Sequence, residues 1–547
     1  MQGRQKDMQS KQCLFRAEAR QKVFQGATVL ADLVRVTLGP KSKCVLIEKR
    51  FGKPLVCNDG VTIAKELVLE DATENMGAQL LREAAERTGD AVGDGTSTAT
   101  VLAHAMLVEG VRNVASGASA VDLKKGLDHG LKAALTMLKS ISRPVTSRIE
   151  KEHVATISAH NNPRIGAMVA GAIEKIGADG VVTVEESNTT ETMLEVVEGM
   201  QFDRGYISPY FVTNAEKMTA TLEEPHILLS EKKIANMGDL IPLLEQIAKS
   251  GRPLLVVAED VEGEALATLV LNKLRGVLPC AAVKAPGFGD RRKAMLEDMA
   301  VLTGGQLHAE ELGIKLEKIT LSQLGAAKRV VVTRDTTTII GGNGSRSAID
   351  GRIAELKKQL ADSNSEYDRE KLRERLARLT GGVAVIRVGA PSEPELKSLK
   401  EAFDDAINAT KAAIAEGIVP GGGLALLRMI DAVEEEEKLT DGDERTGLRI
   451  LKRALEEPTR QIAANSSFDG GVVVDRMRKG SGSFGFDAAK GEYVDLMGAG
   501  IIDATKVVRI GLENAISVAS TLLLAEATLT EVPERKREGA KLEPAEY

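Results

Sequence analysis

The chain changes texture twice along its length, and that change constrains its fold more than any single motif. Helical apolar spacing runs through residues 17–36, 74–88, 96–114 and 122–141, with Leu107, Val111 and Val114 on one stripe. The first helix should stop at Thr37-Leu38-Gly39-Pro40, a strong break, and short strands are expected over 43–48 and 55–56. Beyond Pro144 the pattern becomes mixed. Strands are expected at 181–184, 194–197 and 227–229, and a helix over 238–248 leads into the apolar run 253–258, which suits a strand buried on both faces. A helix over 263–274 and a strand at 281–284 complete a βαβ unit. Residues 352–379 mix both signs of charge at helical spacing and break at 362–365, which reads as two antiparallel surface helices. After a strand at 383–388, helices return from 395 to 416. Helical ends around a mixed middle suggest that the two ends fold together and the middle is inserted.

Composition narrows the function. At roughly 150 residues per domain, 547 residues make three to four domains, and 43% apolar with 28% charged residues is ordinary for a globular chain. No internal repeat points to a solenoid. Lys plus Arg is 72 against 79 for Asp plus Glu, a net charge of -7, so a general nucleic-acid binder is disfavoured. With no Trp and five Tyr, stacking platforms have little material. Cys13, Cys44, Cys57 and Cys280 lack CxxC spacing, and none of the six histidines forms an HExxH pair, so neither a disulfide framework nor a zinc site is expected. The first 20 residues lack the apolar core of a signal peptide, and no apolar run reaches the ~18 residues of a membrane span. A cytoplasmic protein without membrane partners is expected.

The glycine clusters carry the chemistry. No GxxxxGK[ST] loop is present, and the GxGxxG match at 480–485 follows a helix-like stretch, so it reads as a plain loop. Gly93-Asp94-Gly95-Thr96-Ser97-Thr98 is different. Two glycines permit a tight turn, and the helix that opens behind them would offer free amides and hydroxyls to phosphate, with Asp94 able to hold Mg²⁺. Read by itself, the same segment is also an ordinary helix cap. Gly421-Gly422-Gly423 reads either as close backbone approach to a ligand or as a hinge, and Asn58-Asp59-Gly60 as a hairpin turn.

Taken together, TLGPK at 37–41, NDGVTIAKE at 58–66, ENMGAQLL at 74–81, GDGTSTAT at 93–100 and EDVEGEALATLVLNKLRG from Glu259 resemble the group I chaperonins, the GroEL type. KAPGFGDRRKAMLEDMA from Lys284, DTTTII from Asp335 and GIVPGGGLAL from Gly417 extend the resemblance over essentially the whole chain. It implies a multidomain α and α/β fold. A mostly helical equatorial domain (1–140 and 416–547) would bind ATP, with Mg²⁺ and K⁺. An intermediate hinge domain (141–197 and 384–415) would connect it to an inserted α/β apical domain (198–383). The resemblance further implies a homo-oligomer of two stacked seven-membered rings that captures non-native client proteins and encloses them under a co-chaperonin lid of the GroES type.

By that resemblance, Thr37, Leu38, Gly39, Pro40 and Asn58 border the nucleotide, and Asp94, Gly95, Thr96, Ser97 and Thr98 cradle its phosphates with Asp94 on Mg²⁺. Gly422, Asp487, Ala488 and Ala489 line base and sugar, Asp503 meets the ribose, and Asp59 and Asp405 poise the attacking water. Tyr206, Tyr210, Phe211, Ile241, Leu244, Leu266, Val270 and Leu271 match client- and lid-binding positions, and pattern alone would equally make them core. The chain departs from the family at Asn58, where a Lys is usual, at Ser42 for Gly, at Ala504 for Pro and at Asp487 for Asn. Its charged C-terminus, 533–547, lacks Gly-Gly-Met repeats. The alternative to a folding chaperonin is a specialised paralogue that serves as a holdase or scaffold with altered ATP cycling.

Overall fold

The computed structural model describes residues 11–49, 54–177, 180–187, 189–215, 217–309, 316–363 and 365–531. The charged C-terminal segment lies outside them. The chain divides into two compact units, one holding residues up to Ala170 together with those from Ser392 onward, the other Gly171–Pro391.

The first unit is built from both chain ends. Helices Arg16–Arg35, Ala72–Val92, Thr96–Ala115 and Ala120–Ile141 pack with Leu424–Leu439, Gly442–Ala454 and Thr505–Leu524 around one apolar core. Leu30, Leu81, Leu102 and Leu127 from the N-terminal part meet Leu427, Ile430, Leu451 and Leu523 from the C-terminal part. The first two helices touch through glycine: a Cβ on Gly26 would fall 1.7 Å from the Glu74 carbonyl oxygen, so no side chain fits there. Strand Lys11–Phe15 pairs antiparallel with Ala527–Glu531, tying the two ends directly. Asp71 starts the helix Ala72–Val92 by accepting from the Thr73 and Glu74 amides, and Gly93 ends it in the left-handed region at φ 69°.

Two expectations need correction in this unit. Asn58-Asp59-Gly60 is no hairpin turn, because Asp59 accepts from the Val61 and Thr62 amides and caps the helix Gly60–Glu66. Helix Thr505–Leu524 holds an 18-residue stretch with a mean hydropathy of 1.5, so by length and composition it passes for a membrane span although Arg509 and Glu513 interrupt the stretch. Here that hydropathy is spent inside the core, where Leu512, Ile516, Ala519 and Leu523 are buried.

The second unit carries the mixed α/β texture. Its main sheet runs Cys280–Lys284, Leu254–Ala258, His226–Ser230, Gly325–Val332, Thr337–Gly342, Gly199–Phe202. The first three strands are parallel and the rest antiparallel. Helix Gly263–Leu274 crosses from Leu254–Ala258 to Cys280–Lys284, the expected βαβ unit, and Leu254–Ala258 is buried along its whole length. A three-stranded sheet sets Val383–Val388 between Val181–Glu186 and Met193–Val197. The charged stretch forms helices Arg346–Asp362 and Glu366–Gly381. Both are fastened to helix Asp290–Thr303 by Asp298, 2% exposed, which accepts from Arg352 at 2.8 Å and from Arg375 at 2.7 and 2.9 Å.

Candidate functional site

A cavity of about 450 Å³ opens in the first unit, within the range of small-molecule sites. Every residue expected at the nucleotide or the attacking water lies on its wall: Thr37 to Pro40, Asn58, Asp59, Asp94 to Thr98, Asp405, Gly422, Asp487 to Ala489 and Asp503. They come from seven separated stretches of sequence, and the double-ended core brings them together.

The loop after the first helix is held rigidly. Thr37 Oγ1 donates to the Val34 carbonyl at 2.8 Å and lies 3.0 Å from Ser97 Oγ. Asn465 donates through Nδ2 to the carbonyls of Arg35 at 2.9 Å and Leu38 at 2.8 Å. Asn465 was not singled out in the sequence, since a lone Asn more than 400 residues away carries no local signal.

In Gly93-Asp94-Gly95, both glycines are left-handed, at φ 69° and 78°. Gly95 is the N-cap of helix Thr96–Ala115, and no side chain caps the first turn. The hydroxyls of Thr96, Ser97 and Thr98 are therefore not used as the cap of an ordinary helix start. Asp94 accepts from the Gly95 amide at 2.5 Å and from Ser158 Oγ at 2.7 Å, which aims its carboxylate.

The acids on this wall crowd one another. Burial raises the Asp94 carboxyl above its ordinary range, against the pull of Ser158, the Gly95 amide and His160, and the Asp59 charge adds to the rise. Asp405 is raised well above the usual carboxylate range, first by burial and then by Asp94 and Asp59. Asp503 is pushed to about 7 by burial and the Asp94 charge. Clustered carboxylate oxygens suit a hard divalent ion. Among the described residues no group of three or more His, Cys, Asp or Glu forms a cage. Mg²⁺ needs none when one carboxylate shares it with substrate phosphates.

At the other end of the cavity, the buried Asp487 accepts from the amides of Ala489 at 3.0 Å and Lys490 at 3.2 Å, and the Lys490 ammonium stands 3.7 Å away. As a carboxylate it can only accept. The triple glycine divides its work. A Cβ on Gly423 would meet Thr459 Oγ1 at 2.3 Å, whereas one on Gly422, at φ 63°, would find nothing nearer than 3.7 Å. Gly422 thus leaves backbone open on the cavity side. The glycine loop at 480–485 contributes nothing to the wall, as expected of a plain loop.

In the second unit the eight apolar positions split. Tyr210, Ile241 and Leu271 are exposed at 62%, 45% and 45%. Tyr206, Leu266 and Val270 are partly buried against the core. Phe211 and Leu244 do not belong to an open surface. Phe211 closes the short turn Pro209–Phe211, which packs against helix Gly263–Leu274, and its ring is fully buried. Leu244 lies on the inward face of helix Ile241–Ser250 with Leu243 and Ile247. Leu274 and Val277, not singled out in the sequence, are exposed and extend the apolar surface at the end of helix Gly263–Leu274.

A helical unit closed by both chain ends, an α/β unit inserted into it and a glycine-and-aspartate cavity describe a chaperonin subunit. Residues 30–533 match the TCP-1/cpn60 chaperonin family, and the chain belongs to it, as a group I chaperonin. It is 64% identical over 531 residues to "Chaperonin GroEL 5" of Bradyrhizobium diazoefficiens, covering 97% of this chain and 98% of that protein.

Proposed function

We propose that this chain is the subunit of an ATP-driven folding machine: two stacked seven-membered rings that capture non-native proteins and enclose them beneath a GroES-type lid. The three-part layout expected from the sequence, equatorial, intermediate and apical, belongs to this reading, and so does a cytoplasmic setting. The observation that carries it is the convergence of the 37–40 loop, the 93–98 loop, Gly422, Asp487 and Asp503 on one cavity with Asp59 and Asp405.

ATP would lie with its phosphates over the amides and hydroxyls of Thr96 to Thr98, whose helix dipole favours anions. Its base and sugar would lie toward Gly422, Asp487 to Ala489 and Asp503. Asp94, aimed by Ser158, would hold Mg²⁺, which would neutralise phosphate charge. The K⁺ belongs to the reading by family resemblance. Asp59 and Asp405 would orient a water whose oxygen attacks the γ-phosphorus as the bond to the bridging oxygen breaks. The water's proton passes to Asp405, whose carboxyl is raised well above the usual carboxylate range by burial and by the Asp94 and Asp59 charges and so holds a proton more readily than an exposed carboxylate. Asp59, pinned by two helix amides, keeps its carboxylate in one orientation. Ile241, Leu271 and Tyr210 would offer clients and lid a non-directional apolar surface.

Negative-stain electron microscopy with and without Mg-ATP tests this, together with ATP turnover and refolding of a denatured protein with a lid protein present. Seven-fold rings with turnover and refolding support the reading. Rings that bind clients but do not hydrolyse ATP would favour the holdase, and the absence of rings would sink both.

A further inference from the structure

The charge balance of the cavity wall is lopsided for a site that takes a polyanion. Five aspartates line it, and Lys490 is its only lysine or arginine among the described residues. Lys490 stands by Asp487, at the end away from the 93–98 loop in the reading above. Asn58 brings no charge. The remaining groups able to carry positive charge are two histidines, His153 and His160. The His153 ring lies against Gly500, within 2.8 Å of where a Cβ would stand, so it is packed on backbone. His160 is exposed on the cavity wall, and its ring makes no hydrogen bond or ion pair among the described residues. It is close enough to Asp94 for its charge to act on that carboxylate.

The backbone beneath it is unusual. His160 and Asn161 are consecutive non-glycine residues in the left-handed region, at φ 52° and 60°. Non-glycine residues in this region are strained, and strain of this kind concentrates at ligand sites. Part of it has a local cause, because the turn must join helix Arg148–Ser158 to helix Pro163–Ile176, which Asn162 starts by accepting from the Arg164 amide at 3.1 Å. A turn alone would be served by glycine at position 160. What glycine would lack is a side-chain donor on the cavity wall.

We propose that His160 is a further nucleotide-binding residue, its ring N–H donating to the γ-phosphate of a nucleoside triphosphate held over the 93–98 loop. This rests on the nucleotide reading of the cavity. His160 adds a hydrogen-bond donor at the phosphate end of a wall rich in carboxylates, and it binds the triphosphate in preference to the diphosphate.

The test is calorimetric titration of the full-length protein with a non-hydrolysable ATP analogue and with ADP, both with Mg²⁺. His160→Gly is the informative deletion, because glycine adopts the left-handed backbone without strain and leaves the turn intact. Losing one hydrogen bond to a charged group from an exposed position should weaken the triphosphate analogue about 3- to 10-fold, with ADP changed less than about twofold. His160→Arg should recover most of the loss. Equal loss for both nucleotides would make His160 part of the turn and overturn the proposal, as would an unchanged affinity for the analogue. Wild-type protein that binds neither nucleotide would overturn the cavity reading itself, a failure distinct from that of His160.

Discussion

At the scale of single residues, the aspartates decide what the cavity does. Asp405→Ala should leave ATP binding near normal and slow turnover by roughly 10²- to 10⁴-fold, the range for removing a positioned acid or base. It should not lower thermal stability, because it relieves a buried carboxyl crowded by Asp94 and Asp59. Single-turnover hydrolysis at the wild-type rate would remove Asp405 from the mechanism. Asp503 predicts a pH effect whose sign is fixed. Its carboxyl titrates at about 7 in the folded chain and near ~3.9 when unfolded, so between these values the folded state holds the extra proton. Stability from this group is complete below the lower value, falls as pH rises through the window and is lost above about 7. Asp503→Asn removes that slope. Urea midpoints without nucleotide should therefore shift in favour of the variant between pH 4 and pH 8, and parallel curves would show that Asp503 is not held protonated. Of these roles, the 93–98 loop with Asp94 and the triple glycine were legible as candidates from local residue chemistry, whereas Asp59, Asp405, Asp487 and Asp503 were legible only as members of matched motifs. Asn465 and Ser158 were not, because each acts through a backbone carbonyl or a carboxylate that only the fold brings near.

At the scale of elements, helical periodicity located helices and strands well, and failed where the question was which face is wet. The helix at 263–274 and the strand at 383–388 have the bounds expected from pattern. Helix Ile241–Ser250 carries Ile241 outward and Leu244 inward, though both read as apolar positions on one short helix. Ile241→Ser and Leu271→Ser should therefore impair capture of a denatured test protein while the melting temperature stays within a degree or two. Leu244→Ser and Phe211→Ala should instead destabilise the α/β unit, the latter by about 3–5 kcal/mol as for other buried aromatics. Chemical denaturation beside a client-binding assay separates the two classes. If Ile241→Ser and Leu271→Ser bind clients normally, the surface for capture lies elsewhere. Asp59 teaches the same lesson at a turn, where Asn-Asp-Gly favours a hairpin locally and a helix immediately downstream makes Asp59 its cap instead.

For the molecule as a whole, the two units have separate cores, and a fault in one should leave the other working. Asp298 shows how this can be tested. It is buried between Arg352 and Arg375, so Asp298→Ala takes the carboxylate partner from Arg375, while Arg352 keeps Glu297 and Glu355, and should cost the α/β unit about 3 kcal/mol. Nucleotide affinity, a property of the other unit, should hold, and a parallel loss of ATP binding would show that the cores are not independent. The sequence by itself determined the order of helical and mixed segments, the family and the motifs that carry the chemistry, because these depend on local spacing and on short strings read in order. Only the tertiary structure decided which apolar side chains of helix Ile241–Ser250 meet water, that Asp59 caps a helix, that helix Thr505–Leu524 is a core element, and that His160 shares a cavity wall with five aspartates. The physical reason is common to all four: burial and charge are set by neighbours distant in sequence, and a local pattern specifies what a segment can do without specifying what it will meet.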